Sequence, residues 1–150
     1  MIVRFLLTLW QLPQLIVGEA IYAWHKLFLR KRYIKNGFAC CDSYKYTYSK
    51  IDMYSSKRSR IVKAFSLGRR IFLYYDKDYH DKAKLKMVIN EVVRHEYGHS
   101  IQSARRGLFY LWFARNSLLV TGISSGLAEK IPFEKKANKL VENKNIKITY

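Results

Sequence analysis

Between Lys82 and Ala104 apolar residues recur at spacings of three and four, as Leu85, Val88, Ile89, Val92 and Val93. That period fits one face of an α-helix and no strand. The stripe runs on into His95, Glu96 and His99, so its apolar face ends in three ionisable groups. Burying such groups without a partner is costly. A chain that builds this helix must therefore bring something to them.

The flanking sequence reads as a mixture of strands and helices. Tyr44-Lys45-Tyr46-Thr47-Tyr48 has the period of two expected of a strand, and the stretch Ala64 to Tyr75 ends in the run Ile71-Phe72-Leu73-Tyr74-Tyr75. Gly68 is expected to mark a bend or bulge near the start of that second strand, and Asp76 to Asp81 a polar loop after it. Asn36-Gly37 carries a turn signal. Gly107 and Gly126 bracket an apolar and aromatic segment, Leu108 to Ile123, broken by Arg115-Asn116-Ser117 and expected to form a buried helix pair or a membrane-touching hairpin. Pro132 opens a last short helix with Phe133, Ala137, Leu140 and Val141 on one face. The lysine-rich tail then fades into Ile146-Lys147-Ile148-Thr149-Tyr150. The fold class is α+β, and 150 residues with 49% apolar content suit one domain over residues 1–150.

Charge narrows the partners. The chain has 28 Lys and Arg against 11 Asp and Glu, a formal +17, which favours acidic ligands or surfaces. Anionic lipid and nucleic acid both qualify, and 12 Tyr, 8 Phe and 3 Trp suit an interfacial aromatic belt, base stacking or simply a core. The two thiols, Cys40 and Cys41, are neighbours. Normal disulfide geometry disfavours a bridge between them, and they are expected to be reduced and structural. They also cannot make a zinc site without a second pair.

Met1 to Trp24 is rich in Leu, Ile, Val and aromatics but is interrupted by Arg4, Gln11, Pro13, Gln14 and Glu19. As a signal peptide it would end at Gly18-Glu19-Ala20, where the basic run that follows opposes export. As a spanning helix it would be oriented by Lys26, Arg30, Lys31, Arg32 and Lys35, which would keep the rest of the chain cytoplasmic. As a membrane-surface helix, or a core helix kinked at Pro13, its polar positions are easier to place. Membrane contact within residues 1–30 is the expectation.

His95-Glu96-Tyr97-Gly98-His99 matches HExxH, in which imidazoles four apart lie one turn above the other and can grip one Zn2+. The intervening glutamate can take a proton from a water on the ion and pass it to a leaving amine. The plainer alternative is a helix turn that happens to hold these residues, or a pair of hydrogen-bonded core histidines. His25 and His80 have no spaced partner and are expected to be ordinary surface or interface histidines.

An open catalytic zinc site has three protein ligands. No histidine follows His99, and the later carboxylates are Glu129, Glu134 and Glu142. Glu134 is best placed, in the first turn of the Pro132 helix with the small Ala137 one turn on. A carboxylate favoured by the helix dipole is the simpler account of the same residue.

The helix bearing His95, Glu96 and His99, followed by one bearing Glu134 and Ala137, resembles the gluzincin zinc metallopeptidases over Leu85 to Leu140. The small size is most similar to their minimal single-domain members. The resemblance implies a helical zincin-like domain with a small sheet beside the active-site helix, and an edge strand in Phe65 to Tyr75 able to hold an extended peptide. It also implies that Glu134 is a ligand. Asn138 stands where the family has an aspartate that orients a ligand histidine, and asparagine can still accept a hydrogen bond.

The expected function is a membrane-associated zinc peptidase acting on peptide or protein, with His95, His99 and Glu134 as ligands and Glu96 as base and then acid. The alternative from another class is a basic protein that binds nucleic acid or anionic lipid without proteolysis. A peptidase acting on proteins bound to nucleic acid would combine the two.

Overall fold

The computed structural model describes residues 6, 8–44, 47–56, 62–112 and 132–150, and their arrangement is a mixed α/β fold built on one five-stranded sheet. Its elements are α1 (Leu12–Phe28), β1 (Tyr33–Cys41), β2 (Tyr48–Ser55), β3 (Val62–Leu67), β4 (Arg70–Tyr75), α2 (Lys82–Arg106), α3 (Pro132–Val141) and β5 (Ile146–Thr149). The sheet order is β3-β4-β2-β1-β5. β2 and β4 are parallel, and the other pairs are antiparallel. The chain thus leaves β2, steps past the place of β4 to form the edge strand β3, and turns back into the gap.

That turn is made at Gly68, whose φ of 58° suits a glycine in the first central position of a two-residue hairpin loop. The stretch expected as one bent strand is therefore two. Other expectations move as well. Asn36-Gly37 is no turn but the middle of β1, because a Cβ on Gly37 would strike the Thr149 carbonyl oxygen of neighbouring β5. The tail expected to fade is that strand, β5. Of the alternating tyrosines expected as a strand, Tyr44 closes a 3-10 turn over Asp42–Tyr44 and Tyr48 opens β2, while Tyr46 lies outside the described residues. The apolar segment expected over Leu108 to Ile123 lies mostly outside the described residues, as does Glu129.

Helix α2 begins at Asp81, whose carboxylate accepts from the Lys84 amide at 2.9 Å, and ends at Gly107 with a φ of 54°. Leu85, Ile89, Val93, Tyr97 and Ile101 recur every four residues and pack with Ile51, Met53, Ile71 and Leu73 on one face of the sheet. Val88 and Val92, expected in the same stripe, sit half-buried at its edge. Cys41 is buried and Cys40 exposed, both as free thiols.

The opposite sheet face carries α1. His25 packs edge-on against Tyr54, Phe72 and Tyr74, with ring centroids 5.0, 5.2 and 5.8 Å away, and its Nε2 lies 3.1 Å from the Tyr74 hydroxyl. It is a buried histidine, not a surface one; burial holds its pKa below the ordinary value. The expected kink at Pro13 is instead the first turn of α1, where proline's missing N–H leaves no helix bond unmade. Arg70 fastens α1 to the sheet. Its guanidinium donates to both Glu19 oxygens at 2.8 Å and to Asp52 at 2.7 Å, and it stacks on Tyr22 at 3.8 Å.

Candidate metal centre

Helices α2 and α3 cross in an antiparallel register that follows from residues four apart on each. An Arg94 Nη donates to the Val141 carbonyl at 3.2 Å, and the Gln102 amide donates to the Phe133 carbonyl at 2.8 Å. Between them Gly98 meets the backbone of Ala137 so closely that a Cβ would lie 2.9 Å from its carbonyl carbon. Real side chains do not tolerate that separation, so glycine on α2 and alanine on α3 permit the approach. The backbone that comes up against Gly98 is thus that of α3.

One position along from each contact stand the candidate ligands. Glu134, in the first turn of α3, reaches His95 and His99 because 94/141, 98/137 and 102/133 fix the register. Glu134 Oε2 lies 3.1 Å from His95 Nε2 and 2.9 Å from His99 Nε2, and the two Nε2 atoms are 3.1 Å apart. The outer nitrogens also have partners. His95 Nδ1 is 2.8 Å from Asn138 Oδ1 and His99 Nδ1 is 2.9 Å from Gln102 Oε1. An amide oxygen only accepts, so each Nδ1 carries the hydrogen and each Nε2 turns its lone pair to the centre. His99 is further fixed by the Phe133 ring, stacked at 5.1 Å.

Two lone pairs and a carboxylate oxygen facing one point repel unless a cation or proton lies among them. Without a metal the answer is a proton. Burial opposes charge on His95, but Glu134, Asn138 and Glu96 outweigh it and push its pKa up to about 9. With one, the same three atoms are a ligand set, and His95, His99 and Glu134 form the group among the described residues that could hold a metal ion.

Glu96 is buried beside them. Burial raises its pKa, against the opposing pull of His99 and His95. Ser66 of edge strand β3 and Tyr110, just beyond α2, border this carboxylate; burial and the Glu96 charge push the Tyr110 phenol up. The residues expected at the site from sequence, His95, His99, Glu134, Asn138 and Glu96, are thus assembled; Glu142, the carboxylate passed over, is exposed just beyond α3, and His80, expected as a surface or interface histidine, is exposed in the loop before α2. Gln102, Phe133, Ser66 and Tyr110 were not anticipated. Gln102 alone had a local signal, three residues beyond His99 on one helix face.

No family model, no characterised protein and no solved structure matches this chain.

Proposed function

We propose that the chain is a zinc-dependent peptidase of gluzincin type, with a zincin-like domain in which His95, His99 and Glu134 hold Zn2+ and Glu96 moves the protons. The observation that carries this reading is the convergence of two Nε2 atoms and one carboxylate oxygen within 2.9 to 3.1 Å of one another. Tetrahedral zinc with bonds of about 2.0 to 2.1 Å holds its ligand atoms roughly 3.3 Å apart, so little movement is needed. Imidazole and carboxylate donors also suit zinc.

When bound, the ion would polarise a peptide carbonyl and make a water acidic near neutral pH. The chain's own groups do the rest. Glu96, its pKa already raised by burial, accepts a proton as the water attacks and delivers it to the departing amine. Asn138 and Gln102 hold the imidazoles in the tautomer that presents Nε2. The β3 edge, pairing with β4 on one side only among the described strands, would receive the substrate in extended form by backbone pairing.

The test is Glu96→Gln. The expected outcome is unchanged zinc content with hydrolysis of an unfolded protein substrate lowered by about a hundredfold or more. Hydrolysis at the wild-type rate in this variant would remove the mechanism.

A further inference from the structure

Helix α1 is amphipathic in the wrong sense for a helix whose outer side meets water. Its sheet-facing side carries Gln11, Gln14, Gly18 and His25, all buried. Its outward side carries Leu12, Ile16, Trp24 and Leu27, with Ile16 60% and Leu27 76% exposed, and Leu9, just before the helix, is exposed as well. The inner polar groups are used to fix the helix. The Gln14 amide donates to the Gly107 carbonyl, and Gly18 lies close against the Leu67 carbonyl of β3. The apolar side has no such use in water, and a stripe of this extent on a basic protein calls for a non-aqueous occupant.

The stripe is continued by a second element. Trp10 packs over Gly107, and the turn beyond it exposes Phe109 and Trp112, each 64% accessible. Tyr110 of the same turn faces the other way, its ring 5.8 Å from that of Phe133. The apolar surface therefore reaches the rim of the metal centre.

Charge selects the occupant. Exposed Lys26, Arg30, Lys31 and Arg32 border the stripe at the end of α1. Glu19, the sole acid before Asp42, is paired with Arg70. A second copy would set two +17 chains face to face along their basic edges. A nucleic acid would answer the lysines and arginines but leave Leu9, Ile16 and Leu27 uncovered. An anionic bilayer surface satisfies both, with tryptophans at headgroup depth. At 17 residues α1 is about 25 Å long, and no helix among the described residues is long and apolar enough to cross a membrane. We infer that the outer face of α1, with Phe109 and Trp112, docks flat on an anionic lipid surface and holds the metal centre beside the headgroups.

The experiment is flotation of the full chain with vesicles of phosphatidylcholine alone and of phosphatidylcholine with phosphatidylserine, read beside tryptophan emission. The wild type should float with the anionic vesicles, at least about tenfold more tightly than with neutral ones, and its emission should shift to the blue. Ile16→Asp with Leu27→Asp should weaken binding roughly a hundredfold. Lys31→Glu with Arg32→Glu should remove the preference for phosphatidylserine. The positions are exposed, and unchanged circular dichroism marks a retained fold. The wild-type emission shift is a readout that needs no variant. Glu96→Gln should float like the wild type, so loss of peptidase activity and loss of docking are read separately. The inference is overturned if wild-type protein fails to float, or if the Ile16→Asp, Leu27→Asp variant floats unchanged. It is equally overturned if that variant only turns a dimer into a monomer, or if the sole anionic ligand bound is DNA.

Discussion

Two clusters of buried charge among the described residues are built on opposite terms. At the α1 clamp, Arg70 is surrounded by Glu19, Asp52 and the Tyr22 ring. Cation and anions answer one another within the fold. At the α2–α3 crossing, by contrast, electron-rich atoms of His95, His99 and Glu134 are collected around one point with Glu96 close behind. That set needs a proton or a metal ion among its atoms. A closed cluster holds elements together; an open one marks a place where chemistry can occur.

Changes at the clamp should therefore act on stability and leave metal binding alone. Arg70→Met strands Asp52, 3% exposed, as an unpaired buried carboxylate. A loss of about 3 to 5 kcal/mol is expected, measured by urea unfolding, with zinc stoichiometry unchanged. Should zinc binding fall while stability holds, the division between the two clusters would be wrong.

The converse experiment removes the amides behind the imidazoles. Asn138→Ala or Gln102→Ala should lower zinc affinity about 10- to 100-fold, by competition with a chelator, because the tautomer and ring orientation lose their support. Little change in the unfolding midpoint of the metal-free protein is expected for Asn138→Ala, since that side chain is exposed. An affinity equal to the wild type would show that Asn138 does not orient His95.

The smallest effect separates the two clusters by pH. Arg70 lowers the Glu19 pKa, so this pairing stabilises the fold above the ordinary carboxylate range and is lost as pH falls through the depressed value. In the metal-free protein His95 behaves with the opposite sign. Its pKa of about 9 contributes stability that is complete below the ordinary histidine value and lost as pH rises toward 9. Thermal melts of metal-free protein against pH should thus fall at both ends. Glu19→Gln should flatten the acid side and His95→Ala the alkaline side.

What could be read from sequence follows the range of the interactions. The α2 stripe, the HExxH pair and the Pro132 helix are local patterns, and Glu134 was reachable because few later carboxylates compete with it. The long-range decisions were not legible. Gly37 carries a turn signal, yet it serves the approach of β5, more than a hundred residues away in sequence. His25 has no spaced partner, and an aromatic pocket from β2 and β4 made it a core residue. The outer and inner sides of α1 were also hidden, since hydropathy along Leu12–Phe28 does not say which side the sheet will take. Gly98 lay in plain view inside the motif, but only the crossing with Ala137 explains why a side chain is excluded there.

The most direct measurement is the metal content of protein purified after equilibration with zinc and removal of the excess, beside the His95→Ala, His99→Ala variant. One zinc per chain in the wild type and none in the variant is the predicted result. A wild type that retains no zinc, or a variant that retains as much, would contradict a metal held between α2 and α3.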